Sequence, residues 1–200
     1  MRSQSGVKKM LKPVNILLVG VGGQGTILAT RVLAKAAQDA GYDIKVSEIK
    51  GMAQRGGSVV TQVRLGQKVY SPVIGQGSAD VILAFEKMEA LRWLPYLKAD
   101  GHMIINDQAI PPVPVLTGAA AYPDDCLARV RQAVPQTVAV DALNIAIQCG
   151  NARAANVVLM GLLARRLPID KATWLQALRQ RVPAQFIEVN LQAFERGYNL

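Results

Sequence analysis

The chain has 200 residues, half of them hydrophobic and 18% charged, which suits one folded domain with a substantial core and excludes a disordered polypeptide. Its 23 lysines and arginines against 14 acids give a formal charge of +9. That charge implies an affinity for anions; the 5% aromatic content and the lack of basic–aromatic interleaving speak against nucleic acid, and a phosphate-bearing cofactor or an acidic protein partner explains the charge equally well.

Residues Met1 to Lys12 form a basic, polar stretch with no apolar centre and no small-residue cleavage site, so they are expected to be a flexible arm rather than a secretory signal. Val14-Asn15-Ile16-Leu17-Leu18-Val19 is a strand-length apolar run. Gly20-Val21-Gly22-Gly23-Gln24-Gly25 follows, and Thr26 then opens a helix with Ile27, Leu28, Val32, Leu33 and Ala36 at helical spacing. Gly41 ends that helix. A second strand, Ile44 to Glu48, leads into the polar, glycine-rich stretch Gly51 to Gly57. Ser58 to Leu65 alternates as a strand, and Gly66-Gln67 is expected to turn it into a hairpin with Lys68 to Ser71. Ala79 to Phe85 reads as a buried strand, Glu86 to Leu97 as a helix and Gly101 to Asn106 as a strand. Ile110-Pro111-Pro112-Val113-Pro114 reads as a rigid connector. Helix Pro123 to Ala133 and strand Thr137 to Val140 come next. Asp141 caps a further helix, and helical pattern resumes around Asn151 and continues through Leu163. Lys171 to Arg181 and Ala184 to Tyr198 close the chain as helices. Strands alternating with helices predict an α/β fold: a Rossmann-like, doubly wound, mostly parallel sheet, helices on both faces and a helical C-terminal tail. Residues 13–200 are expected to form one domain.

The turn Gly20, Gly22, Gly25 fits G-x-G-x-x-G, and a helix start beyond it offers free N–H groups and a positive dipole end to an anion. Glu48 meets the dinucleotide fingerprint's demand for an acid about 20 residues further on, so an NAD ribose contact stays open. So does a tight strand-to-helix crossover that binds nothing. Ligands of such sheets bind beyond the carboxyl ends of the strands. Both glycine stretches follow strands and are therefore expected at one edge. Arg55 in the second stretch is suited to clamp a phosphate or carboxylate, unless it is a solvated surface arginine. Glu48 and Glu86 are each suited to bind a hydroxyl or to pair with a basic side chain.

No nucleophile–histidine pairing, G-x-S-x-G elbow or G-x-x-x-x-G-K-[ST] loop occurs. Cys126 and Cys149 make no C-x-x-C, and His102 is the single histidine, so no metal or iron–sulfur site is expected in this chain. No run reaches the roughly 18 apolar residues of a membrane span, and a cytoplasmic protein follows as the expectation.

The sequence Gly20-Val21-Gly22-Gly23-Gln24-Gly25, joined to Glu48-Ile49-Lys50-Gly51-Met52-Ala53-Gln54-Arg55-Gly56-Gly57, resembles the gamma-type subunit or domain of the 2-oxoacid:ferredoxin oxidoreductase family. Val63-Arg64, Ser71-Pro72-Val73-Ile74, Ala79-Asp80, the E-x-x-E-A-x-R run from Glu86 to Arg92, and Gly150-Asn151 to Asn156 agree with it. The resemblance covers most of residues 14–165, and the short chain with its Met-Ala-Gln-Arg-Gly-Gly loop is most similar to the aryl-pyruvate (indolepyruvate) branch. It implies a subunit of an enzyme that converts a 2-oxoacid and coenzyme A into an acyl-CoA, carbon dioxide and reduced ferredoxin. Thiamine diphosphate and iron–sulfur clusters would sit in a large alpha subunit, leaving this chain inactive alone. Carried over, Gly20, Gly22, Gly23, Gln24, Gly25 and Thr26 become the anion-facing turn, with Gln24 as a polar contact. Met52, Gln54, Arg55, Gly56 and Gly57 become the loop facing coenzyme A or the partner's thiamine diphosphate, with Arg55 stabilising charge.

Overall fold

In the computed structural model, residues 11–51 and 56–200 are described. The strands are β1 (Val14–Val21), β2 (Asp43–Lys50), β3 (Ser58–Gly66), β4 (Ala79–Ala84), β5 (Leu97–Asn106) and β6 (Val138–Val140). The helices are α1 (Thr26–Asp39), α2 (Lys87–Trp93), α3 (Val113–Leu116), α4 (Cys126–Ala133), α5 (Ala142–Gln148), α6 (Ala155–Ala164), α7 (Lys171–Arg181) and α8 (Ile187–Tyr198). No helix among the described residues is long and apolar enough to cross a membrane. Of the expected N-terminal arm, only Leu11 and Lys12 fall within the described residues, and Leu11 packs on the core.

β1 lies in the middle of the sheet, whose order is β2-β3-β1-β4-β5-β6. Helices cover it on both faces, which is why it is apolar almost without a break. β1, β4, β5 and β6 run parallel, whereas β3 lies antiparallel to both β1 and β2. The two faces hold separate apolar clusters. Ile16, Leu18 and Val63 face α1, α6, α7 and α8, and Leu17, Val19 and Ile82 face α2 and α4. The connection from β1 through α1 leads to one side of β1. The connection from β4 through α2 leads to the other side and crosses the opposite face. The gap between β1 and β4 is therefore the topological switch point, where open α/β sheets form a crevice at the strands' carboxyl ends.

Several expectations need correction. Lys68 to Ser71 is not a strand. β3 instead makes its hairpin with β2 across the glycine-rich loop, and side chains take the backbone groups of the segment after β3. Val69 N–H donates to Asp43 Oδ2 (2.8 Å), Ile74 N–H to Gln62 Oε1 (2.6 Å), and Arg64 Nη1 donates to the Ser71 carbonyl (3.2 Å). The helix predicted from Glu86 to Leu97 ends at Trp93, and a 3₁₀ turn carrying Pro95 starts β5 four residues early. Val113 to Leu116 is a short helix rather than extended connector, since Pro114 sits in a first turn, where its missing N–H has no helical partner to lose. At the far end of β1, Asp80 Oδ2 accepts the Asn15 N–H (2.7 Å) and Arg64 Nε donates to Asn15 Oδ1 (3.1 Å), which gives these motif residues a structural duty.

Candidate functional site

The glycine turn caps the switch point. Gly25 precedes α1 with φ of 78°, a left-handed conformation that costs other residues energy, and a Cβ built on it would lie 2.4 Å from Asn156 Nδ2. Only glycine fits there. The backbone N–H groups of Gly23, Gly25 and Thr26 have no acceptor among the described residues, and no side chain caps the helix. The turn therefore aims unpaired donors and a helix dipole's positive end at one spot.

Gln24, expected as a polar contact, lines the crevice at the switch point and also has a structural role within the chain. Its Oε1 accepts the Val21 N–H (2.8 Å), and its Nε2 donates to the Phe85 carbonyl (2.7 Å) and to Gln108 Oε1 (3.3 Å). Both ends of the amide are used to tie β1 to the ends of β4 and β5. A Cβ on Gly20 would come within 2.8 Å of the same Oε1, so that glycine makes room for the tie.

The two glycine stretches do meet at one edge: Gly22 N–H donates to the Gly57 carbonyl at 2.9 Å, and Gly51 N–H to the Ser58 carbonyl at 2.9 Å. Met52, Gln54 and Arg55 lie outside the described residues, so Gly51, Gly56 and Gly57 are what is seen of that loop. Glu48 is separated from this edge. Sequence spacing suits a dinucleotide-binding acid, but β3 lies between β2 and β1. That puts the Glu48 strand about 10 Å from β1 at ordinary strand spacing. Its carboxylate pairs instead with Lys50 at 2.8 Å.

The E-x-x-E-A-x-R run begins directly after β4. Glu86, fully buried, accepts the Glu89 N–H (2.9 Å) as the N-cap of α2, and also the Ile110 N–H (3.1 Å) and the Tyr122 hydroxyl. It therefore does bind a hydroxyl, and that hydroxyl is the protein's own. Glu89, 3% exposed, accepts from Ser58 Oγ at 2.6 Å and lies 3.4 Å from Arg92 Nε. Burial, the largest cause, pushes its carboxyl above the usual glutamate range despite both partners. The folded chain thus binds this proton more tightly than the unfolded chain. The associated stability is present below the unfolded pKa and is lost as pH rises through the folded one. Glu89→Gln is expected to gain stability relative to the parent as pH rises from about 4 to 8 in urea unfolding. A difference that stays constant across that range would refute the assignment.

The turn is a ridge between two clefts. The inner one, about 610 Å³ at the switch point, is lined by Gly22, Gly25, Phe85, Asn106, Arg153 and Asn156 among others. The outer one, about 520 Å³, is lined by Gly23, Thr26, Ile27, Lys50 and Val59 among others. Arg153 was not among the residues expected from sequence. It stands in a 3₁₀ turn, Ala152–Ala154, just before an apolar helix. A lone cation ahead of such a helix was the available signal.

The family model described as pyruvate ferredoxin/flavodoxin oxidoreductase matches residues 15–200. Indolepyruvate oxidoreductase subunit IorB of Thermococcus kodakarensis is 42% identical over 194 residues, which cover 94% of this chain and 95% of that one. Among solved structures, the gamma subunit of a keto/oxoacid ferredoxin oxidoreductase from Geobacter sulfurreducens superposes with a TM-score of 0.69 at 25% identity, covering 93% of this chain and 96% of that chain. The 2-oxoglutarate:ferredoxin oxidoreductase of Magnetococcus marinus, bound to 2-oxoglutarate, coenzyme A and succinyl-CoA, shares the fold with a TM-score of 0.71 at 20% identity. There the match covers 94% of this chain and 31% of the other. The chain belongs to the pyruvate ferredoxin/flavodoxin oxidoreductase family, as a small subunit of the 2-oxoacid:ferredoxin oxidoreductase kind.

Proposed function

We propose that this chain is the non-thiamine-binding subunit of an aryl-pyruvate, and specifically indolepyruvate, ferredoxin oxidoreductase. In the assembled enzyme a 2-oxoacid and coenzyme A become an acyl-CoA and carbon dioxide, and the electrons released reduce ferredoxin. A large subunit brings thiamine diphosphate, which supplies the chemistry of decarboxylation, and the iron–sulfur clusters that carry the electrons. This chain contributes a rim: the unpaired N–H groups of Gly23, Gly25 and Thr26 hold an anionic group, and Arg55 in the adjoining loop stabilises charge beside it. The enzyme works in the cytoplasm, and residues 13–200 act as one domain.

The observation that carries this reading is the hydrogen bond from Gly22 to Gly57, which joins the two glycine segments into one edge at the switch point. An NAD-dependent dehydrogenase is less well supported, because its ribose-binding acid would be Glu48, on a strand separated from β1 by β3. Reconstitution with a thiamine- and iron–sulfur-containing large subunit tests the proposal. Coenzyme A-dependent reduction of ferredoxin is expected with indolepyruvate only when both chains are present, and Arg55→Ala is expected to lower it about tenfold or more. Turnover by either chain alone, or tight binding of NAD to this one, would reject it.

A further inference from the structure

We infer that Arg153 is an anion-binding residue of the inner cleft, which receives a slender, mostly apolar ligand ending in a phosphate or carboxylate. At about 610 Å³ the cleft is within the size range of small-molecule sites. Leu28, Phe85, Ile110, Leu143 and Leu159 give it apolar walls. Arg153 is its one cationic lining residue among the described residues, and no carboxylate or other side-chain partner engages that guanidinium among them. Lys50 at the outer cleft differs, because Glu48 already neutralises it at 2.8 Å.

Two further features mark the inner wall. Asn156 is 4% exposed and donates to the Gly25 carbonyl at 3.1 Å, which fixes the 3₁₀ turn of Arg153 beside the glycine turn. Its Oδ1 is buried and has no hydrogen-bond partner among the described residues, so it is available to accept a donor group of a ligand or a water in the cleft. Arg153 itself is exposed, with its backbone N–H held by Asn151 Oδ1 at 3.0 Å. Arg153 is thus held at its backbone and exposed, on one side of a cleft whose other side carries Gly23 and Gly25, whose N–H groups have no acceptor among the described residues. A planar fork of donors suits a two-oxygen anion better than a point charge does.

The first test uses inorganic pyrophosphate and the full chain, followed by calorimetry. Arg153→Ala is expected to weaken binding about tenfold, Arg153→Lys by less, and Arg181→Ala, the same charge change outside the cleft, by under twofold. Equal binding by the parent and Arg153→Ala, or no binding by the parent, overturns the inference. The identity of the ligand rests on the function proposed above, so the second test uses the reconstituted complex. Its calorimetric affinities for coenzyme A and for indolepyruvate separate the phosphate source from the carboxylate source. A tenfold loss confined to coenzyme A assigns a phosphate, and one confined to indolepyruvate assigns the carboxylate. A pyrophosphate effect in a complex that binds neither would reject the proposed function and leave the anion site standing.

Discussion

Gly197→Ala is expected to destabilise the chain by about 3 kcal/mol or more, which at this size lowers the melting temperature by roughly 6–12 °C. The cause is a backbone-to-backbone contact between two helices. A Cβ on Gly197 would lie 1.9 Å from the Val158 carbonyl oxygen, and one on Gly161 would lie 2.3 Å from the Phe194 carbonyl oxygen. Each helix places its glycine against the other's main chain, so neither obstacle is a side chain that can swing away. α6 has little freedom to retreat, because every residue from Asn156 to Ala164 is buried. Adding a methyl group must separate α6 from α8 and open the larger core that holds Trp174 and Phe194. The site should respond as well, since Asn156, in the first turn of α6, bonds to Gly25. Gly75→Ala is the control: its Cβ would meet only Ser78 Oγ at 3.8 Å, and stability should change by no more than about 0.5 kcal/mol. Thermal unfolding of the three proteins settles the matter, and a Gly197→Ala variant that melts within about 2 °C of the parent would show that these helices do not touch in this way.

How much of this architecture could be read from residues alone depends on the range of the signal. β1, α1, β4, α7 and the cap at Asp141 came from local pattern and were found at or near their expected bounds; Asp141 Oδ1 does accept the Asn144 N–H at 2.9 Å. The mostly parallel sheet and its helical tail followed from their alternation. Strand order did not, because hydrophobic alternation says which face is buried and not which strand is adjacent. The insertion of β3 between β1 and β2 was therefore invisible, and with it the isolation of Glu48. Gln24 shows the same limit. A polar residue in a glycine turn says nothing by itself of the bond its amide makes to the Phe85 carbonyl, 61 positions away. The meeting of the two glycine segments was deduced correctly, since it required only that both follow strands running in the same direction. Arg153 was missed because a lone cation before an apolar helix is a weak local signal, and its cleft is assembled from distant segments: the turns after β1 and β4, the end of β5, α1, α5 and the start of α6.

Asn106→Asp, a change of one atom group, is expected to cost about 3 kcal/mol near neutral pH and to leave the switch-point crevice distorted. Asn106 is 3% exposed at the end of β5. Its Nδ2 donates to the Phe85 carbonyl (3.2 Å) and to Gln108 Oε1 (3.0 Å), and its Oδ1 accepts the Ala142 N–H (3.0 Å). One side chain thus joins the ends of β4 and β5 to the start of α5, and Gln24 donates to the same two oxygens. Aspartate keeps the acceptor but replaces the donor with a charged oxygen facing two oxygens that have nothing to give it. Relief comes only if the carboxyl takes up a proton, which raises its folded pKa above the unfolded value. By linkage, the variant's deficit should shrink as pH falls toward the ordinary aspartate range and grow as pH rises through the raised folded pKa. Asn106→Leu separates charge from the loss of hydrogen bonds. It orphans the Ala142 N–H without repelling anything, and Gln24 still serves the Phe85 carbonyl, so its deficit should be smaller and independent of pH. Urea unfolding across that range distinguishes the two variants. Identical, flat deficits for both would mean that the amide does not stand between those two oxygens, and that Gln24 alone holds β1 to the ends of its neighbours.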